Sequence, residues 1–202
     1  MFITFEGIEG SGKSTLLAGL AQRLRERGYD PLLTREPGGT EAGELIRDVF
    51  LHVRLPVEAW AEALLINASR AQLVAEVIRP ALGRGRPVLC DRYIDSTLAY
   101  QGYGRGLDLA ILREICDTAT GSLAPDLTLL ADVSVATSQA RIASRGERRD
   151  RIESQKTAFH ERVRSGYQRL AEETPRIRLL DGERSVAEIL DAAWHEIGEL
   201  LG

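Results

Sequence analysis

The sequence predicts a three-layer α/β domain, with a five-stranded parallel sheet covered by helices on both faces. Two observations carry that expectation. Short apolar, β-favouring runs alternate with longer stretches of helical periodicity. Polar and charged residues also gather directly after the strand-like runs, where the carboxyl edge of a parallel sheet places its ligands. With 202 residues, 44% hydrophobic and 28% charged, the chain suits one globular domain with a sizeable core.

Met1-Phe2-Ile3-Thr4-Phe5 reads as the first strand, and Leu16, Leu17, Leu20 and Leu24 recur at helical spacing after it. Between them lies Gly7-Ile8-Glu9-Gly10-Ser11-Gly12-Lys13-Ser14, followed by Thr15. This is G-x-x-x-x-G-K-S, the phosphate-binding loop of P-loop NTPase folds, in the strand–loop–helix setting it requires. The glycines let backbone N–H groups turn inward, and the helix N-terminus adds a positive partial charge to the same cavity. In such a loop Lys13 reaches the β- and γ-phosphates as a point charge, and the Ser14 hydroxyl holds Mg²⁺.

Gly28 is a plausible helix stop, and residues 30–34 read as a second strand ending at Arg35-Glu36-Pro37-Gly38-Gly39-Thr40. Arg35, on a carboxyl-end loop, is either a phosphate ligand or a solvated charge, and Pro37 with its two glycines reads as a turn. Residues 40–51 and 57–82 read as helices. Arg70 stands close to the apolar stripe of the second, which a charge tolerates only by snorkelling or by facing a pocket. Residues 87–90 form a buried strand closed by Asp91 and Arg92. An aspartate there suits a carboxylate that orients Mg²⁺, with Arg92 offering a planar fork to phosphate; a structural Asp91–Arg92 cap is the alternative.

Residues 95–106 mix hydroxyls, an amide and aromatics, including Ser96, Thr97, Tyr100 and Gln101, a chemistry suited to the edges of a nucleoside. A helix over 107–118, a strand over 126–131 and a helix over 134–143 follow. The charge run Arg145-Gly146-Glu147-Arg148-Arg149-Asp150-Arg151 is either a solvated face or a mobile lid at about 145–152, whose arginines close over a transferring phosphate. Ile152 to Glu173 reads as a helix and 177–180 as the last strand. The loop 181–185, with Arg184, borders the same crevice before a final helix over 186–201.

A net charge of −4 argues against a general nucleic-acid binder. No stretch approaches the length of a membrane span, and the short N-terminal apolar run is no signal peptide. Cys90 and Cys116 have neither metal-ligand nor disulfide spacing and read as core residues in a reducing cytoplasm.

Over nearly its whole length the chain resembles the bacterial thymidylate kinases. The resemblance rests on the phosphate loop with the preceding Phe5-Glu6, on Thr34-Arg35-Glu36-Pro37-Gly38-Gly39-Thr40, on Asp91-Arg92-Tyr93 with Tyr100-Gln101-Gly102, and on Asp150-Arg151-Ile152-Glu153, all in the family's order. It implies transfer of a phosphoryl group from MgATP to dTMP, in a cytoplasmic homodimer with no nucleic-acid polymer as partner. It further implies that Arg35 and Arg92 hold the acceptor phosphate, that Glu9 lies near the acceptor's sugar and phosphate, and that Arg70 hydrogen-bonds thymine. Thr97 then meets the base and Tyr100 packs beside the deoxyribose, with Pro37, Ile66, Ser96 and Gln101 completing the acceptor site. Arg141, Arg145 and Arg184 match the region that sandwiches adenine.

Some members carry a catalytic arginine in the phosphate loop and others supply it from the lid. Gly10 and Ser11 occupy the loop positions here, so the chain resembles the lid type, with Arg148 or Arg149 in that role beside Lys13 and Arg92. Ile66 departs from the family, which usually stacks a phenylalanine on the base at that position. The residues keep two rivals open. A kinase of another nucleoside monophosphate would share the architecture, and a nucleotide-dependent switch would share the loop, although the chain has no Asn-Lys-x-Asp segment to read guanine.

Overall fold

A computed structural model describes residues 1–52, 56–146 and 150–201, the side chains of 199 and 201 aside. Five parallel strands run in the order β2-β3-β1-β4-β5, formed by β1 (Phe2–Glu6), β2 (Leu32–Arg35), β3 (Val88–Asp91), β4 (Leu127–Asp132) and β5 (Ile177–Asp181). β1 is central and wholly buried. The chain moves outward to β2, returns to insert β3, then crosses to β4 on the other side of β1. That reversal opens a crevice at the carboxyl ends of β1, β3 and β4.

Successive residues of β1 point to opposite faces, and each face has its own helical cover. Ile3 and Phe5 pack with Leu20 and Leu24 of α1 (Lys13–Glu26) and with Ala193 and Ile197 of α9 (Val186–Leu201). Phe2 faces the other way, onto Leu73 of α3 (Ala59–Leu73) and Ile78. α2 (Glu41–His52) packs along α3 and carries Arg47 and Phe50 to the mouth of the crevice. α6 (Leu109–Thr120) backs α3 from the other side, and α7 (Val135–Ser144) lies behind the phosphate loop.

Three helical boundaries differ from those the sequence predicts. The helix expected over 57–82 widens into a π turn at Val74–Ile78 before α4 (Arg79–Gly83). Pro80 explains the change, because it has no N–H and its ring crowds the carbonyl four residues back. Residues 95–104, read only as a polar stretch, are helical as α5 (Ile94–Thr97) and a second π turn, Leu98–Gly104. Glycine made that turn unreadable yet also allows it: a Cβ at Gly104 would lie 2.8 Å from both Phe159 and Val163. These belong to α8 (Thr157–Glu173), which starts five residues later than expected. Asp150 is the reason, since its Oδ1 accepts from the N–H of Ile152 at 2.7 Å and of Glu153 at 2.8 Å, closing a separate turn first.

Candidate active site

The phosphate loop leaves β1 at Gly7, where φ is 136° and a Cβ would stand 2.4 Å from the Ala131 carbonyl oxygen. Only glycine fits so close to β4. α7 braces the loop from behind: the Ser138 hydroxyl donates to the Glu9 carbonyl at 2.7 Å, and Arg141 donates to the carbonyls of Gly10 (3.3 Å) and Gly182 (3.0 Å). Lys13 Nζ donates to the Gly7 and Ile8 carbonyls, each at 2.9 Å. Burial, with Arg92 nearby, lowers its pKa to about 8 against the pull of Asp91, Glu9 and Glu6. The ammonium is thus charged at neutral pH and tethered only to loop carbonyls.

A cleft of about 290 Å³ runs from this loop toward α2 and α3. Gly10, Gly12, Lys13, Ser14 and Thr15 line the side of the loop; Arg35, Glu36, Pro37, Arg47, Phe50, Leu51, Ile66, Arg70 and Gln101 line the side of β2, α2 and α3. Asp91, Arg92, Glu9, Ser96 and Tyr100 lie between them. The parallel register sets Asp91 beside Phe5, so β3 delivers this aspartate to the start of the loop. Its Oδ2 accepts from the Ser14 hydroxyl at 3.4 Å, while Oδ1 is buried with no partner. Among the described residues no group of three His, Cys, Asp or Glu side chains could hold a metal alone. A hydroxyl and an orphaned carboxylate oxygen do suit Mg²⁺, which takes few protein ligands and completes its shell with water and phosphate oxygens.

Arg92 is the hub of the cleft. It adopts a left-handed backbone conformation with φ 73°, which costs a non-glycine residue on the order of 1–3 kcal/mol and aims its side chain across the loop. Nη1 donates to Gly7 O at 3.1 Å and to the hydroxyls of Ser96 and Tyr167 at 3.2 Å each; Nη2 donates to Glu9 Oε1 at 3.0 Å and Tyr100 Oη at 3.2 Å. Burial works against ionised Glu9, but Arg92, Lys13 and the Tyr100 hydroxyl outweigh it and hold the carboxyl below its usual range. Behind this layer Glu6 accepts from Tyr93 N, Ser96 Oγ and Tyr167 Oη. Burial next to Asp95 raises the Glu6 carboxyl to about 7.

A family model described as Thymidylate kinase matches residues 5–193. The chain is 50% identical over 200 residues to the thymidylate kinase of Deinococcus radiodurans, covering 98% of this chain and 97% of that one. It is 50% identical over 201 residues to that of Thermomicrobium roseum, covering 99% and 95%. The crystal structure of thymidylate kinase from Ehrlichia chaffeensis matches with a TM-score of 0.75 at 35% identity, over 89% of this chain and 91% of that one. The chain belongs to the thymidylate kinase family. It is an ATP-dependent phosphotransferase that phosphorylates dTMP to dTDP.

Within this kinase the residues expected at the site divide by access. Arg35 is half exposed and held by Glu44 through two bonds of 3.0 and 3.1 Å. Arg70 is fully buried yet forms part of the cleft wall with Glu36: its guanidinium reaches Glu36 at 2.7 Å, Asn67 and Thr97 at 3.0 Å and the Tyr93 carbonyl at 2.9 Å. Thr97 stands behind Arg70 and does not line the cleft. Arg184 is exposed, pairs with Asp181 and also lies away from it. Arg145 lines the cleft and pairs with Glu153 at 3.6 Å, whereas Arg148 and Arg149 fall outside the described residues. Ile8 and Ser11 are buried within the loop.

Sequence reasoning missed Arg47, Tyr167 and Glu62. Tyr167 shares the apolar stripe of α8 with Phe159, Val163 and Leu170, so its hydroxyl could not be told from a core ring. Arg47 donates to the Pro37 carbonyl at 2.9 Å from an amphipathic helix whose Glu44 also turns back to the same loop, onto Gly39 N–H and Arg35. A basic residue opposite the Pro-Gly-Gly turn was the one available signal.

Proposed function

We propose that ATP lies with its phosphates in the Gly7–Thr15 loop and that dTMP occupies the other end of the cleft, its base beside Ile66 and Gln101 and its phosphate between Arg35 and Arg92. The carrying observation is the single cleft that joins Lys13 and Ser14 to Arg92, Ile66 and Gln101. The acceptor phosphate is already a nucleophile, so the protein's task is to align it and spread charge. Lys13 swings from the Gly7 and Ile8 carbonyls to the transferring phosphoryl group, and Arg92 neutralises the incoming acceptor. Glu9, held by Tyr100 and Arg92, lies where the deoxyribose meets its phosphate. Residues near 145–152 act as a lid that brings Arg145 and Arg148 or Arg149 over the phosphates and excludes water. Ser14 and Asp91 hold Mg²⁺, which when bound neutralises charge on the phosphate oxygens.

We also propose a homodimer in the cytoplasm. Leu45 and Val49 of α2 and Trp60 and Leu64 of α3 are exposed at i, i+4 spacing on neighbouring helices, an apolar face of the kind two copies cover. Cys90 and Cys116 are buried free thiols, as a reducing compartment allows.

The test is ADP formation from MgATP with dTMP, dUMP, UMP, CMP, AMP and GMP supplied separately. Turnover that strongly favours dTMP supports the placement of the base and shows that Ile66 supplies enough contact without an aromatic ring. Equal rates with several acceptors would remove it, and ADP release independent of any acceptor would favour a switch.

A further inference from the structure

Glu62 lies in α3 with no exposed surface, and no step of the chemistry above uses it. Three side chains donate to its carboxylate. Arg105 does so through Nε at 3.1 Å and Nη2 at 3.0 Å, Arg151 through Nη1, and Gln101 through Nε2 at 3.3 Å. Both arginines are themselves fixed. Arg105 donates to Gln155 at 3.0 Å and stacks on Phe159, and Arg151 donates to the Phe50 carbonyl at 2.8 Å and stacks on the Phe50 ring.

A carboxylate facing two guanidinium groups only accepts, so the Gln101 amide must present its NH₂ to it. The amide oxygen is thereby turned the other way, and Gln101 Oε1 is buried without a partner on a side chain that lines the cleft with Ile66 and Tyr100. A buried acceptor in that state is unfavourable until a ligand donor meets it.

We infer that Glu62 is a positioning residue for base selection: it locks the Gln101 amide with Oε1 toward the acceptor nucleotide. The site then favours a pyrimidine with an N–H at N3, as in thymine and uracil, over cytosine, whose N3 is itself an acceptor. This rests on the placement of the base beside Ile66 and Gln101 proposed above. The same carboxylate holds Arg151 at the exit of the lid, so the base reader and the lid share one anchor.

The test compares kcat/KM for dTMP, dUMP and dCMP in the wild type, Glu62→Gln, Gln101→Met and the double variant. An amide at position 62 donates or accepts, so Gln101 is free to turn over. The preference for dTMP over dCMP falls about tenfold, mainly through KM for dTMP with KM for ATP unchanged. Gln101→Met loses a similar preference, and the double variant loses no more. A Glu62→Gln variant that slows all acceptors equally and keeps the preference overturns the inference. If Gln101→Met also leaves the preference intact, the placement of the base fails with it. Should Glu62→Gln not fold, the wild type decides: the Gln101 side-chain NH₂ resists solvent exchange before dTMP binds, and rapid exchange overturns the inference.

Discussion

In the half of the cleft proposed for the donor, the groups offered to a polyphosphate come from consecutive residues, Gly7 to Thr15, and Lys13 is held only by loop carbonyls. The half proposed for the acceptor draws Arg35 from the end of β2, Ile66 and Arg70 from α3, Arg92 from the end of β3 and Gln101 from a π turn. Three of its polar side chains are held by buried or mostly buried partners, Arg70 by Glu36, Arg92 by Glu9 and Gln101 by Glu62, whereas Arg35 pairs with half-exposed Glu44. The difference teaches that activity and stability separate in the first half and merge in the second.

The largest expected effect is on rate. Lys13→Ala lowers kcat on the order of 10⁴-fold by removing charge from the transferring phosphoryl group, while the denaturation midpoint moves little. Undiminished turnover in a steady-state assay breaks the donor half of the comparison.

Arg70→Met is the counterpart, where the loss is of the fold. It leaves Glu36 buried without its cation, although burial already pushes that carboxyl upward, and costs about 3–5 kcal/mol. Urea unfolding reads this as a lower midpoint at constant m-value, and a double variant with Glu36→Gln recovers part of it. An unchanged midpoint would show that Arg70 is a free ligand and not part of the acceptor wall.

Glu6, beneath Arg92, sharpens the comparison through pH. Its native pKa of about 7 lies above the ordinary 4.5, so between those values the native state keeps a proton that the unfolded chain releases. Its contribution to stability is complete below about pH 4.5 and is lost as pH rises through about 7. In Glu6→Gln the slope of unfolding free energy against pH over that window becomes less negative, and an identical slope would place the titration elsewhere.

Arg35→Ala gives the smallest effect. Its pair with Glu44 is about half exposed, so stability stays within about 0.5 kcal/mol of wild type while KM for dTMP rises. A loss as large as that of Arg70→Met would contradict the division between half-exposed and buried arginines.

The legibility of the two halves follows the same line. G-x-x-x-x-G-K-S, the strand before it and the leucines after it are local features, and they carried the loop, β1 and α1 to the right places. β1, β3 and β4 were equally legible, because buried parallel strands are short apolar runs, and the half-exposed edge strands β2 and β5 were still marked by short apolar stretches between helices. The π turns were not: the helix expected over 57–82 ran through Pro80 with no widening, and the polar mix over 95–106, with glycines at 102 and 104, carried no helical pattern.

By itself the sequence determined the fold, the phosphate loop, the family and the positions of Asp91 and Arg92 at a strand end, because each depends on residues adjacent in the chain. Only the tertiary structure decided that Arg70 is buried against Glu36 at the cleft wall while Arg35 is half exposed there, that Tyr167 reaches Arg92, and that Glu62 meets Arg105, Arg151 and Gln101. Arg35 and Glu44 are 9 residues apart, and the other partners lie 34 to 89 residues apart. A side chain's partner over such separations is set by which elements pack together, and an arginine at the cleft wall is held fast or left adjustable according to whether that packing buries its carboxylate partner.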